Sequence, residues 1–343
     1  MAQLNFTREE IMADHPYAKR QEEVGYLLHG GFDEHGTYLS PRTLHRWPAV
    51  RAWQGALKTR GWPVIDASVE LLKRGNYPNA RQEKFLLTNN IGQPLWNSLT
   101  ITGIIEARGQ ALCNFEAPDF QSIIVDDISQ TATGHLGKGL LYAHGMDEGG
   151  DPNDSSVGAH DAMWFAARDL LFGKDAYPIP EVPESIGRPD EDRPPIKISG
   201  VHAQLIDLLM NVLMIEVRAE SFFSFCQTIM SDPDLFTDRR EDALKAAELV
   251  GRIRIDEAIH VGYLQTALSE MRSFTFKTVD GGTIQGKEFI DPVWTDMVHW
   301  HSVTQADVAR EQLRDGLRDG LVRSGAGELF EQFDRLENIA DAA

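Results

Sequence analysis

Glu257 and His260 stand three positions apart in the string Asp256-Glu257-Ala258-Ile259-His260. A helical pattern runs through them from about Asp238 to Met271, so both fall on one face, one turn apart. Val250, Ile253, Leu264 and Ala267 continue that face, which is otherwise apolar. A carboxylate and an imidazole on an apolar stripe lose their hydration and need a compensating partner. A metal ion is one such partner, because carboxylate oxygen and imidazole nitrogen both ligate iron, manganese and zinc. The plainer reading is a Glu–His pair satisfied by neighbouring side chains. What other helices supply decides between the two.

Three further helical patterns carry isolated polar groups. In Pro94–Phe115 the only acid before Asn114 is Glu106, on a face with Leu99, Thr102, Gly109 and Cys113. From about Asp119 to Met146 a second long helix is expected. It carries His135 on a face with Ile128, Thr131, Ala132, Gly139 and Tyr142, and His144 on the opposite side. Gly134, Gly137 and Gly139 weaken it, by up to about 1 kcal/mol each against alanine, or admit a close neighbour. The third pattern, Val201–Met230, places Glu216 and Glu220 one turn apart on a leucine stripe. Without a metal, Arg108, Arg218 or Arg254 would have to pair these acids.

Together the four patterns resemble the ferritin-like diiron-carboxylate superfamily, and Asp256-Glu257-x-x-His260 is the most specific string in the match. The resemblance implies an all-α, ferritin-like four-helix bundle over residues 91–273. Two helices would each give one Glu and two would each give Glu-x-x-His. The implied metal ligands are Glu106, His135, Glu216, Glu220, Glu257 and His260, with Glu220 favoured over Glu216 on the third helix. The implied cofactor is iron, two ions, with manganese as the alternative. Asp256 or Arg254 would orient a ligand. The second helix departs from the pattern: Ala132 stands where its carboxylate belongs, and Asp127 is rotated off the face. The implied activity is that of a diiron oxidase or oxygenase using dioxygen on a small organic substrate, with an electron donor that the sequence does not specify. An iron-binding or storage protein and a metal-free helical scaffold are the alternatives.

Composition narrows the rest. A net charge of −19, with no compensating Lys/Arg cluster, argues against a nucleic-acid partner. No Gly-rich phosphate loop is present. No apolar run is evident that would span a membrane, and Met1-Ala2-Gln3-Leu4 does not open a leader, so a cytoplasmic location is expected. Cys113 and Cys226 fall in apolar helical patterns and read as buried thiols.

The supporting elements follow from turn and cap signals. Thr7-Arg8-Glu9-Glu10 is a capping box. Helices are expected over Tyr17–Leu28, from Pro41 with a kink or split at Pro48, and over Pro63–Lys73. The glycine-rich stretch from His29 to Ser40 reads as a loop whose histidines, His29 and His35, are solvated. Residues 1–90, with Trp47, Trp53 and Trp62, form an N-terminal helical segment that packs on the bundle. Val157–Phe172 is a shorter helix carrying His160, Asp161 and Trp164. Six prolines between Pro178 and Pro195 make residues 174–200 an excursion. Residues 274–343 hold a β-hairpin from Phe274 to Gln285, a helix from Asp291 to Leu321 and a last one from Glu328 to Ile339. These polar C-terminal helices suit packing or the subunit contact of a homodimer, and His299 and His301 read as structural.

Overall fold

The computed structural model describes residues 3–189 and 197–338. The chain is mostly helical, with three small antiparallel hairpins among the described residues. The N-terminal segment contains α1 (Arg8–Ile11), β1 (Gln21–Glu23), β2 (Tyr26–Leu28), β3 (Gly31–Phe32), β4 (Tyr38–Leu39) and α2 (Arg46–Arg60). Next come α3 (Ala80–Thr88), α4 (Gln93–Gly109), α5 (Leu140–Gly149), α6 (His160–Phe172), α7 (Gly200–Ser231) and α8 (Arg240–Ser273). The chain ends with β5 (Thr275–Lys277), β6 (Thr283–Gln285), α9 (Gly286–His299), α10 (Gln305–Arg323) and α11 (Gly327–Arg335).

Helices α7 and α8 form the long antiparallel pair, with Arg254 bonded to Glu220 and Gln227 to the carbonyl of Ala247. Helix α6 packs on both α8 and α4, α5 lies on α4, and α2 crosses α8. At Gly262 the approach is close: a Cβ there would meet Trp47 and Val50 at 3.0 and 3.1 Å. One apolar cluster joins Phe6, Ile11 and Trp53 of the N-terminal segment to Leu209 and Leu213 of α7, Leu264 and Leu268 of α8, and Phe276 of the hairpin. The first 90 residues therefore share the bundle's core. Each large side chain fully buried there contributes roughly 1.5–3 kcal/mol. By length and composition α7 is apolar enough to cross a membrane, contrary to the sequence expectation, although more than half of its apolar window is buried against the protein.

Several expected helices are replaced. Tyr17–Leu28 forms a hairpin in which Glu23 pairs with Tyr26. Val24 and Gly25 both have positive φ (52° and 81°), the geometry of a two-residue hairpin turn. Pro41 does not open a helix. Pro48 neither kinks nor splits α2, because it falls in the first turn, where its missing N–H has no intrahelical acceptor to serve. Over Pro63–Lys73 only the short 3-10 turn Val69–Leu71 is helical. The long helix expected over Asp119–Met146 is broken: Gly139, at φ 110°, separates the 3-10 segment Thr133–Lys138 from α5. The C-terminal helix starts earlier than expected, at Gly286, with Pro292 inside it. It passes through a π turn at Trp300–Thr304 before α10. Part of the proline-rich excursion (190–196) and the expected last helix beyond 338 lie outside the described residues.

Candidate metal centre

Seven buried side chains from five helices converge. They are Glu106 of α4, His144 and Glu148 of α5, His160 of α6, Glu216 of α7, and Glu257 and His260 of α8. None is more than 8% exposed. They form two overlapping groups, Glu106–Glu148–His160–Glu257 and His144–Glu148–Glu216–His260. Within each group one ligand atom per residue lies within 4.8 Å of the others, and Glu148 belongs to both.

Local structure brings them there. Helix α5 ends at Gly149, and Gly150 takes φ 85°, so the chain turns away directly after Glu148. The next helix begins with His160. The turn between them is pinned by the N-terminal hairpin: Gly158 N–H donates to Leu27 O at 2.8 Å and His29 N–H to Gly158 O at 2.9 Å. Gly109 lets α4 approach α5, since a Cβ there would lie 2.7 Å from Cβ and Cγ of Glu148.

Each imidazole presents one nitrogen to the carboxylates and has the other held from behind. Nδ1 of His160 lies 3.1 Å from Glu257, while its Nε2 lies 3.2 Å from Oδ2 of Asp256. Nδ1 of His260 lies 2.7 Å from Glu257, and its Nε2 3.1 Å from Oδ2 of Asp147. His144 turns Nε2 to Glu216 at 3.1 Å and keeps Nδ1 on the Tyr263 hydroxyl at 2.8 Å. The backing acids are anchored in turn. Asp147 pairs with Arg42 and Arg46. Asp256 accepts from Tyr38 Oη at 3.0 Å and faces His29 Nε2 at 3.3 Å.

The electrostatics describe a site short of cations. The nearby arginines are occupied with Asp147, and they hold its carboxyl well below the usual range against the cost of burial. Burial, with Glu106 and Glu257 close by, pushes Glu148 well above the usual carboxylate range. Burial opposes the shift of Glu106, but the neighbouring Glu148 and His160 hold it below the usual carboxylate value. Burial and Glu257 push Glu216 up to about 8. Burial opposes protonation of His144, but Tyr263 and Glu216 outweigh it and raise the imidazole to about 10. Oε2 of Glu106, Oε1 of Glu148 and Nδ1 of His160 are buried and lie within ion-pair distance of neighbouring groups, yet none makes a hydrogen bond of good geometry. With the acids ionised and the imidazoles neutral, the cluster offers four carboxylates and three ring nitrogens, a set that suits divalent cations in charge and in ligand type.

The sequence-expected residues divide. Glu106, Glu216, Glu257 and His260 are brought together. His135 is not. It stacks beside Trp53 at a centroid distance of 4.8 Å, its Nε2 accepts Phe6 N–H at 3.0 Å, and its Nδ1 donates to Thr131 O at 2.7 Å. Both nitrogens are used, which leaves no free lone pair for a metal. Ala132 therefore marks no missing carboxylate. Glu220 is not in the cluster either; it lies one turn beyond Glu216 and pairs with Arg254 through both oxygens. Of the arginines considered as partners for the acids, Arg108 donates to Pro183 O and Arg218 contacts His301. His29 is buried rather than solvated, while Cys226 is a buried thiol and Cys113 a partly buried one.

A cavity of about 1050 Å³ lies between α7, α8 and the N-terminal segment, and Glu216 and Glu257 form part of its wall. Most of the remaining lining is apolar, including Leu39, Trp47, Val217 and Ile259.

No protein-family pattern, curated protein or solved structure matches the chain.

Proposed function

We propose that the chain is a non-haem diiron oxidase or oxygenase acting on a small organic substrate. The observation that carries this reading is the shared carboxylate: two four-residue ligand groups meet at Glu148. Glu106, His160 and Glu257 would complete one ion's shell, and His144, Glu216 and His260 the other's. On this reading the fold is a ferritin-like bundle whose second helix is broken. Glu148 and His160, on either side of the break between α5 and α6, replace the usual Glu-x-x-His.

A pair of ferrous ions would supply the electrons for dioxygen activation. The protein's own work is positional. Asp147 and Asp256 fix the tautomers of His260 and His160 so that Nδ1 is turned to the cluster carboxylates, where it would be free to hold a metal. Tyr263 does the same for His144 from the opposite nitrogen. The apolar lining limits water around the reacting group. Substrate would reach the cluster from the cavity, whose wall includes Glu216 and Glu257. A substrate-sized apolar cavity on the ligand cluster favours oxidation of an organic molecule over simple iron storage.

Metal analysis of protein expressed with added iron, followed by dioxygen uptake of the reduced protein, tests the proposal. The expected result is about two ions per chain and rapid uptake. Less than about 0.2 ion per chain removes the metal site. Full iron without dioxygen uptake leaves an iron-binding protein.

A further inference from the structure

The cavity beside Glu216 and Glu257 has a charge pattern of its own. Apart from those two acids, its charged residues are Arg254, Glu220 and Arg51, with His15 as a further titratable group. Arg254 is committed: its guanidinium holds Glu220 and reaches Gln227. His15 is bonded to Thr43 Oγ1 at 3.0 Å. That leaves Arg51, an exposed side chain of α2 that makes no ion pair with any described carboxylate. Its guanidinium carbon lies 4.8 Å from the centre of the Trp47 ring. Stacking on an indole restrains the guanidinium plane and leaves its N–H edge free for two parallel hydrogen bonds. In a chain of net charge −19, an unpaired guanidinium held on the cavity wall is a local point of attraction for an anionic group.

The cavity also has length. It follows α8 from Gly251 past Glu257 to Val261, beside α2, a helical run of about 15 Å. Val217, Ile255 and Ile259 give it an apolar wall. We infer that the substrate is an apolar monocarboxylate whose carboxylate docks on Arg51 and whose hydrocarbon body lies along the α7–α8 groove towards Glu216 and Glu257. Arg51 is then a specificity-determining residue. The inference rests on the oxidase reading for the fate of the ligand, but its test does not.

The test is calorimetric titration of the full-length chain with decanoate, decan-1-ol and decylamine, each below its aggregation concentration. Decanoate is expected to bind about tenfold or more tighter than the alcohol, the worth of one charge-assisted bidentate contact. Arg51→Ala removes that difference, and Arg51→Lys restores part of it. Ala258→Trp, at an exposed position on the cavity wall, abolishes binding of both by filling the groove. Equal affinities for acid and alcohol overturn the inference, as does an Arg51→Ala chain that still prefers decanoate. Binding unaffected by Ala258→Trp places the ligand elsewhere and also overturns it. Metal content measured on the same preparations separates the two claims. Two ions per chain without carboxylate preference sinks this inference alone, and carboxylate preference without metal sinks only the oxidase reading.

Discussion

Nε2 of His260 donates to Oδ2 of Asp147, 3.1 Å away and 113 positions earlier in the chain. The mirror of this contact joins His160 to Asp256 at 3.2 Å. Each acid is followed directly by a cluster carboxylate, Glu148 or Glu257. Two Asp-Glu pairs on α5 and α8 thus cross over: each supplies one carboxylate to the cluster and steadies a histidine carried by another helix.

Asp147→Asn tests this crossing. It leaves Arg42 and Arg46 buried without their carboxylate, which costs roughly 3–5 kcal/mol. It also frees the ring of His260, which lowers metal affinity about 10–100-fold. Urea unfolding and competitive metal titration read the two effects separately. Unchanged affinity would show that Asp147 serves stability alone.

His135→Ala separates the sequence expectation from the observed site. The substitution empties a packed position beside Trp53 and Phe6 and should cost about 2–5 kcal/mol. Metal content stays at the wild-type level, whereas Glu148→Ala loses both ions. Metal analysis of the two variants, each first shown to be folded by circular dichroism, decides this.

Gly109→Ala places a methyl group against Glu148, whose Cβ and Cγ are 2.7 Å from the new atom. Overpacking of this kind costs about 1–3 kcal/mol. Because the displaced residue is the shared carboxylate, metal loss should exceed that of an equally destabilising substitution away from the centre. Paired thermal melts and metal analyses read it.

Glu83 gives a pH signature independent of the metal. Burial alone raises its carboxyl from 4.5 to about 8, and its Oε1 has no hydrogen-bond partner. The folded chain therefore keeps a proton that the unfolded chain releases above about pH 4.5. Stability falls as pH rises from there to about 8, at no more than about 1.4 kcal/mol per pH unit from this group. Glu83→Gln flattens that slope and is the more stable protein at pH 9. Parallel slopes for variant and wild type in urea unfolding between pH 5 and 8 would contradict the assignment.

Half of the centre was legible in the sequence because Glu257 and His260 obey helical spacing, and because Glu106 and Glu216 are isolated acids on apolar helices. The other half was hidden by the turn between α5 and α6. Glu148 and His160 are twelve positions apart, and only the glycine turn after α5 and its pinning by the N-terminal hairpin bring them together. A signal was present in the second Asp-Glu pair, Asp147-Glu148, at the end of the apolar run from Leu140. His135 shares an apolar helical face in the sequence, but Gly139 interrupts that helix, and tertiary contacts with Phe6 and Trp53 use the ring. The long helices α4, α7 and α8 were readable from periodicity. The N-terminal hairpins were not, because Val24 at positive φ is an unusual turn residue and β1 is polar.

The most direct measurement is anomalous scattering at the iron edge from crystals of the iron-loaded protein. Two peaks about 3.5–4 Å apart, both bonded to Glu148, with His160 on one and His144 and His260 on the other, are the predicted result. A single peak, peaks that avoid Glu148, or none at full iron loading would contradict the dinuclear centre.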